Sequence, residues 1–176
     1  MGIHLVAFGG PRGCGKSTIA EFLVQDHGYE RIAFSDVLRE IAVLAGTLYI
    51  DNRVYLSQLG EVIRRHDPQF LLNSVKEKIL NSLSNIVIED IRFQSELDFC
   101  DEYSMQTIYF TVPRNEQIRR VQEREGCSVI EAQDMISLRD EGLLSSDSGW
   151  DTIIQSEGDF RNIAEQIVKN ASMIME

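Results

Sequence analysis

Gly10-Pro11-Arg12-Gly13-Cys14-Gly15-Lys16-Ser17 constrains this chain more than any other stretch. It matches G-x-x-x-x-G-K-[ST] at every fixed position, and the pattern carries meaning only between a strand and a helix. Both flanks are legible. Ile3-His4-Leu5-Val6-Ala7-Phe8 is a short apolar run that ends in glycines and reads as a buried strand. From Ser17, the residues Ile19, Phe22 and Leu23 recur at helical spacing until His27-Gly28 supplies a stop. In such a loop the glycines let the backbone curl so that successive amides face phosphate oxygens, and the helix adds its positive end. The predicted phosphate-binding residues are Gly10, Arg12, Gly13, Cys14, Gly15, Lys16, Ser17 and Thr18. Lys16 is expected to bridge the β and γ phosphates, and the Ser17 hydroxyl to ligate Mg²⁺.

Strands and helices then alternate. Ile32-Ala33-Phe34 reads as a second strand, and Ser35-Asp36 resembles a helix cap before Val37, Leu38, Ile41, Val43 and Leu44. Asn52 to Leu83 holds several helical patterns, broken near Asp67-Pro68. Ile86-Val87-Ile88 is a central strand ending in Glu89-Asp90, and Thr107 to Val112 is the next, closed by Pro113. Asn115 to Glu125 is a charged helix and Ser128 to Arg139 another. Thr152-Ile153-Ile154 precedes a terminal helix containing Ile163, Ile167 and Val168. This alternation implies parallel pairing through crossovers. The expectation is a three-layer α/β fold with a mainly parallel five-stranded sheet, in one domain over 1–176.

Charge and cysteine usage narrow the class of partner. The formal net charge is −11, from 17 basic and 28 acidic residues, the wrong sign for a nucleic-acid polymer. It does not exclude a small anion met by local arginines. No apolar run approaches membrane-helix length and no signal peptide is visible. Cys14, Cys100 and Cys127 show neither an even count nor metal spacing, which argues against disulfides and zinc and favours the cytoplasm.

Beyond the loop, five stretches carry a resemblance. They are Phe34-Ser35-Asp36-Val37-Leu38-Arg39-Glu40, Gly60 to Phe70 with Arg64-Arg65-His66-Asp67-Pro68, Val87 to Glu96 with Asp90-Ile91-Arg92-Phe93, and Arg120-Val121-Gln122-Glu123-Arg124. Asp151 to Gly158 closes the series. No Asn-Lys-x-Asp guanine motif is present. The chain resembles the nucleoside-monophosphate kinases, in particular the phage-type deoxynucleoside-monophosphate kinases, with dephospho-CoA kinase as a near relative. The resemblance implies an acceptor-binding insertion at about 36–84, a lid at about 114–148, and ATP with Mg²⁺ as phosphoryl donor. It implies as partners ATP and a nucleoside monophosphate, no nucleic-acid polymer and no membrane, with monomer and homodimer both open.

By that resemblance, Asp36 and Arg39 meet the acceptor, as do Arg92 and one of Arg64 and Arg65. Asp90 contacts Mg²⁺ through water, alongside Ser17. Lys16 and the lid arginines Arg120, Arg124 and Arg139 stabilise the transferring phosphoryl group. Plainer readings stand beside these. Asp36 and Arg39 form an i,i+3 ion-pair spacing, and Glu116, Glu123 and Glu125 dilute Arg120 and Arg124 into an ordinary solvated helix. Ser145 to Trp150 and the stretch from Gly126 to Asp140 depart from the phage pattern. Transfer to a hydroxyl, as in dephospho-CoA kinase with Asp36 as general base, is the alternative reaction, and a non-catalytic nucleotide switch is the alternative class.

Overall fold

The structure, a computed structural model, describes residues 3–140 and 144–174, with side chains described for all of these except 138–140 and 172–174. Five strands alternate with helices: β1 Leu5–Gly9, α1 Lys16–His27, β2 Glu30–Ala33, α2 Phe34–Leu44, α3 Arg53–His66, α4 Phe70–Asn81 and β3 Ile86–Ile91. The chain continues through α5 Gln94–Glu102, β4 Gln106–Thr111, α6 Arg114–Glu125, α7 Val129–Asp140, β5 Thr152–Gln155 and α8 Phe160–Ile174. All pairings are parallel, in the order β2-β3-β1-β4-β5. The expected three-layer α/β fold is therefore present, with a sheet that is wholly rather than mainly parallel.

Strand alternation sorts the core into two faces. Val6, Phe8, Val87, Ile108 and Phe110 pack with Ile19 and Leu23 of α1 and Ile163 and Ile167 of α8. Ala7, Ile32, Ile86 and Ile88 point the other way, against Val37 and Leu38 of α2, Leu71 and Val75 of α4 and Leu97 of α5. A third, small cluster of Val121, Ala132 and Ile136 joins α6 to α7 alone. The central strands are apolar on both faces because both faces are covered, as parallel sheets require. Among the described residues, no helix is long and apolar enough to cross a membrane.

Two local expectations change. β2 ends at Ala33 and Phe34 already belongs to α2, whose N-cap is Ala33 and has no side-chain cap bond. Asp36 therefore sits in the first turn rather than capping it. Helix α5 has no sequence-level counterpart, because its N-cap is Phe93, not one of the small polar residues that signal a helix start. β1 lies centrally with β3 on one side and β4 on the other, so the loops after β1 and β3 open a crevice at the carboxyl ends of the strands, where such sheets bind ligands.

Candidate active site

The phosphate loop occupies that crevice. Gly10 has φ +131°, and a Cβ there would lie 2.4 Å from the Phe110 carbonyl oxygen, so no larger residue fits. Gly15 is the N-cap of α1 at φ +92°, and no side chain caps the helix. Its free amides are what an anion would satisfy. Lys16 is buried and folds back over the loop: its Nζ donates to the Gly10 carbonyl at 2.6 Å and the Pro11 carbonyl at 3.1 Å, and lies 3.7 Å from Asp90 Oδ1. Cys14 is buried beneath it and accepts from Lys16 Nζ at 3.6 Å, a packing position.

The end of β3 supplies two carboxylates with different tasks. Alternation aims Glu89 toward the α1 side, where it is 7% exposed and accepts from the Ser17 hydroxyl and from Arg31 Nε at 2.6 Å. Asp90 would then face away. Instead the β1–β3 register slips by one between Ala7 and Gly9, and Asp90 adopts φ +72°. This bulge turns its carboxylate into the gap between Lys16 and Arg92, and Arg92 donates to it through Nε at 2.8 Å and through Nη2. Aspartate tolerates the left-handed conformation better than most side chains. Burial pushes the Asp90 carboxyl up, but Lys16 and Arg92 together outweigh it and hold it below the usual range.

Ser17 and Glu89 form a hard-oxygen pair, a hydroxyl and a carboxylate, beside the loop. That donor set suits Mg²⁺, which keeps water and phosphate oxygens as its remaining ligands. Among the described residues, no group of three or more His, Cys, Asp and Glu side chains could hold an ion by itself. The sequence expectation named Asp90 for the ion through water. In the structure Asp90 is engaged by Lys16 and Arg92, and Glu89 is the partner of Ser17.

On the acceptor side, Arg92 and Arg64 converge around Phe93. The Arg64 guanidinium lies 4.1 Å from the Phe93 ring centroid and is half-buried, whereas Arg65 is 70% exposed and paired with Glu61 at 2.8 Å. Of these two neighbours, Arg64 packs beside Arg92 and Phe93, and Arg65 turns to the surface. Asp36 receives Arg39 at 2.8 Å and Arg31 at 2.8 Å. Arg31 therefore links Glu89 to Asp36. Asp36 thus accepts from two guanidinium groups.

The two described lid arginines diverge. Arg120, 16% exposed, donates to the Ser156 carbonyl at 2.7 Å, to the Gly13 carbonyl at 3.4 Å and to Glu116 at 2.7 Å, and lies 4.9 Å from the Phe160 ring centroid. Gln117 of the same helix donates to the Arg12 carbonyl at 2.7 Å, so α6 is fastened to the phosphate loop. Arg124, 48% exposed, pairs with Glu125 at 2.9 Å, and Glu125 also receives Arg12 at 2.7 Å. Arg139 lies in α7, with its side chain outside the described residues.

Four further residues complete the site: Glu89, Arg31, Glu96 and Arg53. Burial and the neighbouring Arg12 and Arg124 push the Arg53 guanidinium down, which places a like charge against the loop and the lid. Its signal was Asn52, which caps α3 by accepting from the Tyr55 amide at 3.0 Å and so puts Arg53 at the helix start. The Ser145–Trp150 segment forms a wall: the Leu144 amide donates to the Arg92 carbonyl at 3.2 Å, Trp150 donates to the Ser145 carbonyl at 2.9 Å, and its ring covers Gly9.

The chain is similar to known proteins along most of its length. The family described as AAA domain matches residues 6–136. A cytidylate kinase of Ignicoccus hospitalis is 30% identical over 141 residues, covering 78% of this chain and 74% of that protein. Among solved structures, TT1252 from Thermus thermophilus superposes with a TM-score of 0.67 at 18% identity over all of both chains. A shikimate kinase from Bacteroides thetaiotaomicron gives 0.59 at 16% identity over 99% of each. At those identities the structures speak for the fold, the P-loop kinase architecture.

Proposed function

The chain belongs to the AAA domain family of P-loop proteins, and from that membership and the site geometry we propose that it is a kinase moving the γ-phosphoryl group of ATP to a nucleoside or deoxynucleoside monophosphate. One observation carries this reading. Asp90 stands between Lys16 and Arg92, so a cation for the donor phosphates and a cation for a second phosphate lie within the span of one carboxylate. A nucleotide switch needs only the first. The similarity to a cytidylate kinase supports a monophosphate acceptor and makes CMP the first one to try.

The reaction needs little covalent help. An acceptor phosphate oxygen attacks the γ phosphorus, the bond to the β–γ bridging oxygen breaks, and ADP leaves. Phosphate oxygens are already nucleophilic, so no general base is required, in keeping with the engagement of Asp36 by Arg31 and Arg39. Lys16 exchanges its loop carbonyls for phosphate oxygens, and Arg92 and Arg64 orient the acceptor phosphate. Arg120, Arg124 and the loop amides meet charge that spreads over the migrating group. Mg²⁺ held by Ser17 and Glu89 would neutralise donor oxygens. The buried thiols Cys14 and Cys100 fit a reducing, cytoplasmic setting.

The test is a coupled ADP-release screen with ATP against the ribo- and deoxyribonucleoside monophosphates and dephospho-CoA. Release that depends on a monophosphate is expected. Release with dephospho-CoA alone moves the acceptor to a hydroxyl, and no acceptor-dependent release supports the switch.

A further inference from the structure

Glu96 is a charged residue in a buried place, and the transfer chemistry does not use it directly. It lies in the first turn of α5 and is 4% exposed. Its Oε2 accepts from the Arg92 amide at 2.8 Å and the Phe93 amide at 3.2 Å. Those amides form the turn between β3 and α5, from which the Arg92 side chain reaches Asp90 and the Phe93 ring meets Arg64. The Arg92 carbonyl of the same turn receives the Leu144 amide at 3.2 Å. One carboxylate thus underlies both acceptor-side arginines and one end of the wall segment.

A helix start can be capped without burying an acid, since a small polar residue at the cap position does it at the surface. A buried carboxylate is unfavourable unless its charge has work to do. The groups facing it are Arg64 from α3, Asp90 and Arg92 from β3, and the Cys100 thiol along α5, which burial keeps protonated. Burial dominates over the two amides and Arg64 and lifts Glu96 to about 7. Its hydrogen bonds are stronger in the ionised form, in which it also attracts Arg64.

We propose that Glu96 is a positioning residue of the acceptor site: ionised, it holds the Arg92–Phe93 turn and draws Arg64 onto Phe93, and on taking up a proton it relaxes that grip. This rests on the kinase reading above. Glu96 acts through Arg92 and Arg64 and touches no reacting atom.

The experiment is steady-state kinetics with ATP and CMP at pH 6 and pH 8 for wild type and Glu96→Gln, with the best monophosphate of the screen replacing CMP if CMP is not turned over. Glutamine keeps an acceptor oxygen but is neutral at both pH values. At pH 8 the variant should raise the acceptor KM by about fivefold, with kcat and the ATP KM within about twofold, the size of effect expected from weakening a charged hydrogen bond to a neutral one. At pH 6 the two proteins should converge. The acceptor phosphate also titrates near pH 6, but equally for both proteins, so their ratio isolates Glu96. A defect of the same size at both pH values, an equal defect in the ATP KM, or no defect overturns the proposal. If circular dichroism shows that Glu96→Gln does not fold, Arg64→Gln serves: it should lose at least half of the wild-type change in acceptor KM between pH 6 and pH 8, and an unchanged ratio overturns the proposal. A wild-type protein inactive with every monophosphate sinks the kinase reading, and this proposal with it, before any variant is compared.

Discussion

Glu89 and Asp90 are consecutive, yet they serve opposite sides of the crevice, Ser17 on one and Arg92 on the other. That division depends on a single left-handed residue, Asp90 at φ +72°. The sequence marked the strand end as a place for a carboxylate, and the strand-end rule is why. It could not show which carboxylate does what, because a bulge is a register event between two strands and leaves no mark in either strand alone. Arg64 and Arg65 pose the same limit: neighbours on a helix point apart, and only tertiary packing shows that Arg64 is the one that meets Phe93. Glu96 illustrates a stability consequence at this scale. Its carboxyl is lifted from 4.5 to about 7 in the folded protein, so between those values the folded state holds a proton that the unfolded chain has released. Stability from this group is therefore greatest at low pH and declines as pH rises through that window, by about 3 kcal/mol at most. Urea titrations at pH 5 and pH 8 should show wild type losing stability relative to Glu96→Gln by that order. A difference that does not change with pH would contradict the buried, proton-binding carboxyl.

Helix α6 is legible in the sequence as an element, but its attachment to the phosphate loop is not. Its charged sequence, with Glu116 and Glu123 beside the arginines, resembles a solvated lid helix, and Arg119 does make only surface pairs with those two acids. The contacts that matter are long-range: Gln117 to the Arg12 carbonyl, and Arg120 to the Gly13 and Ser156 carbonyls. Sequence spacing places Arg120 and Arg124 on one face but not on one target. The structure gives Arg120 a role in joining α6 to the loop and to the β5–α8 connection, and leaves Arg124 the more exposed, at 48% against 16%. Arg124→Ala should therefore act on the reaction with little effect on stability, lowering kcat on the order of 10²-fold with modest KM changes. A kcat within about threefold of wild type, a loss under 1 kcal/mol, would remove Arg124 from the transferring-phosphoryl contacts. Helix α5 is the opposite case: Phe93 gives no capping signal in the sequence, although Glu96 reaches back to the Phe93 amide at 3.2 Å.

At the scale of the whole molecule, the fold was the most legible part. Short apolar strands alternating with helices leave few ways to cover a parallel sheet on both faces, and the glycine-lysine-serine loop fixes which strand is first and central. The net charge of −11 surrounds a crevice built from Lys16, Arg64 and Arg92, so the anionic ligands of the proposed reaction would be met locally and not by the field of the whole surface. What distinguishes a kinase from a switch in this architecture is the second set of cations across Asp90. In the proposed reaction a phosphoryl group crosses from one set to the other. That transfer is tested most directly by incubating the protein with ATP labelled in its γ-phosphate, Mg²⁺ and CMP or the monophosphate that the ADP-release screen selects, and then separating the products. Label is expected in the acceptor's diphosphate and lost in Lys16→Ala, while label confined to ATP, or released only as inorganic phosphate, would rule out the transfer.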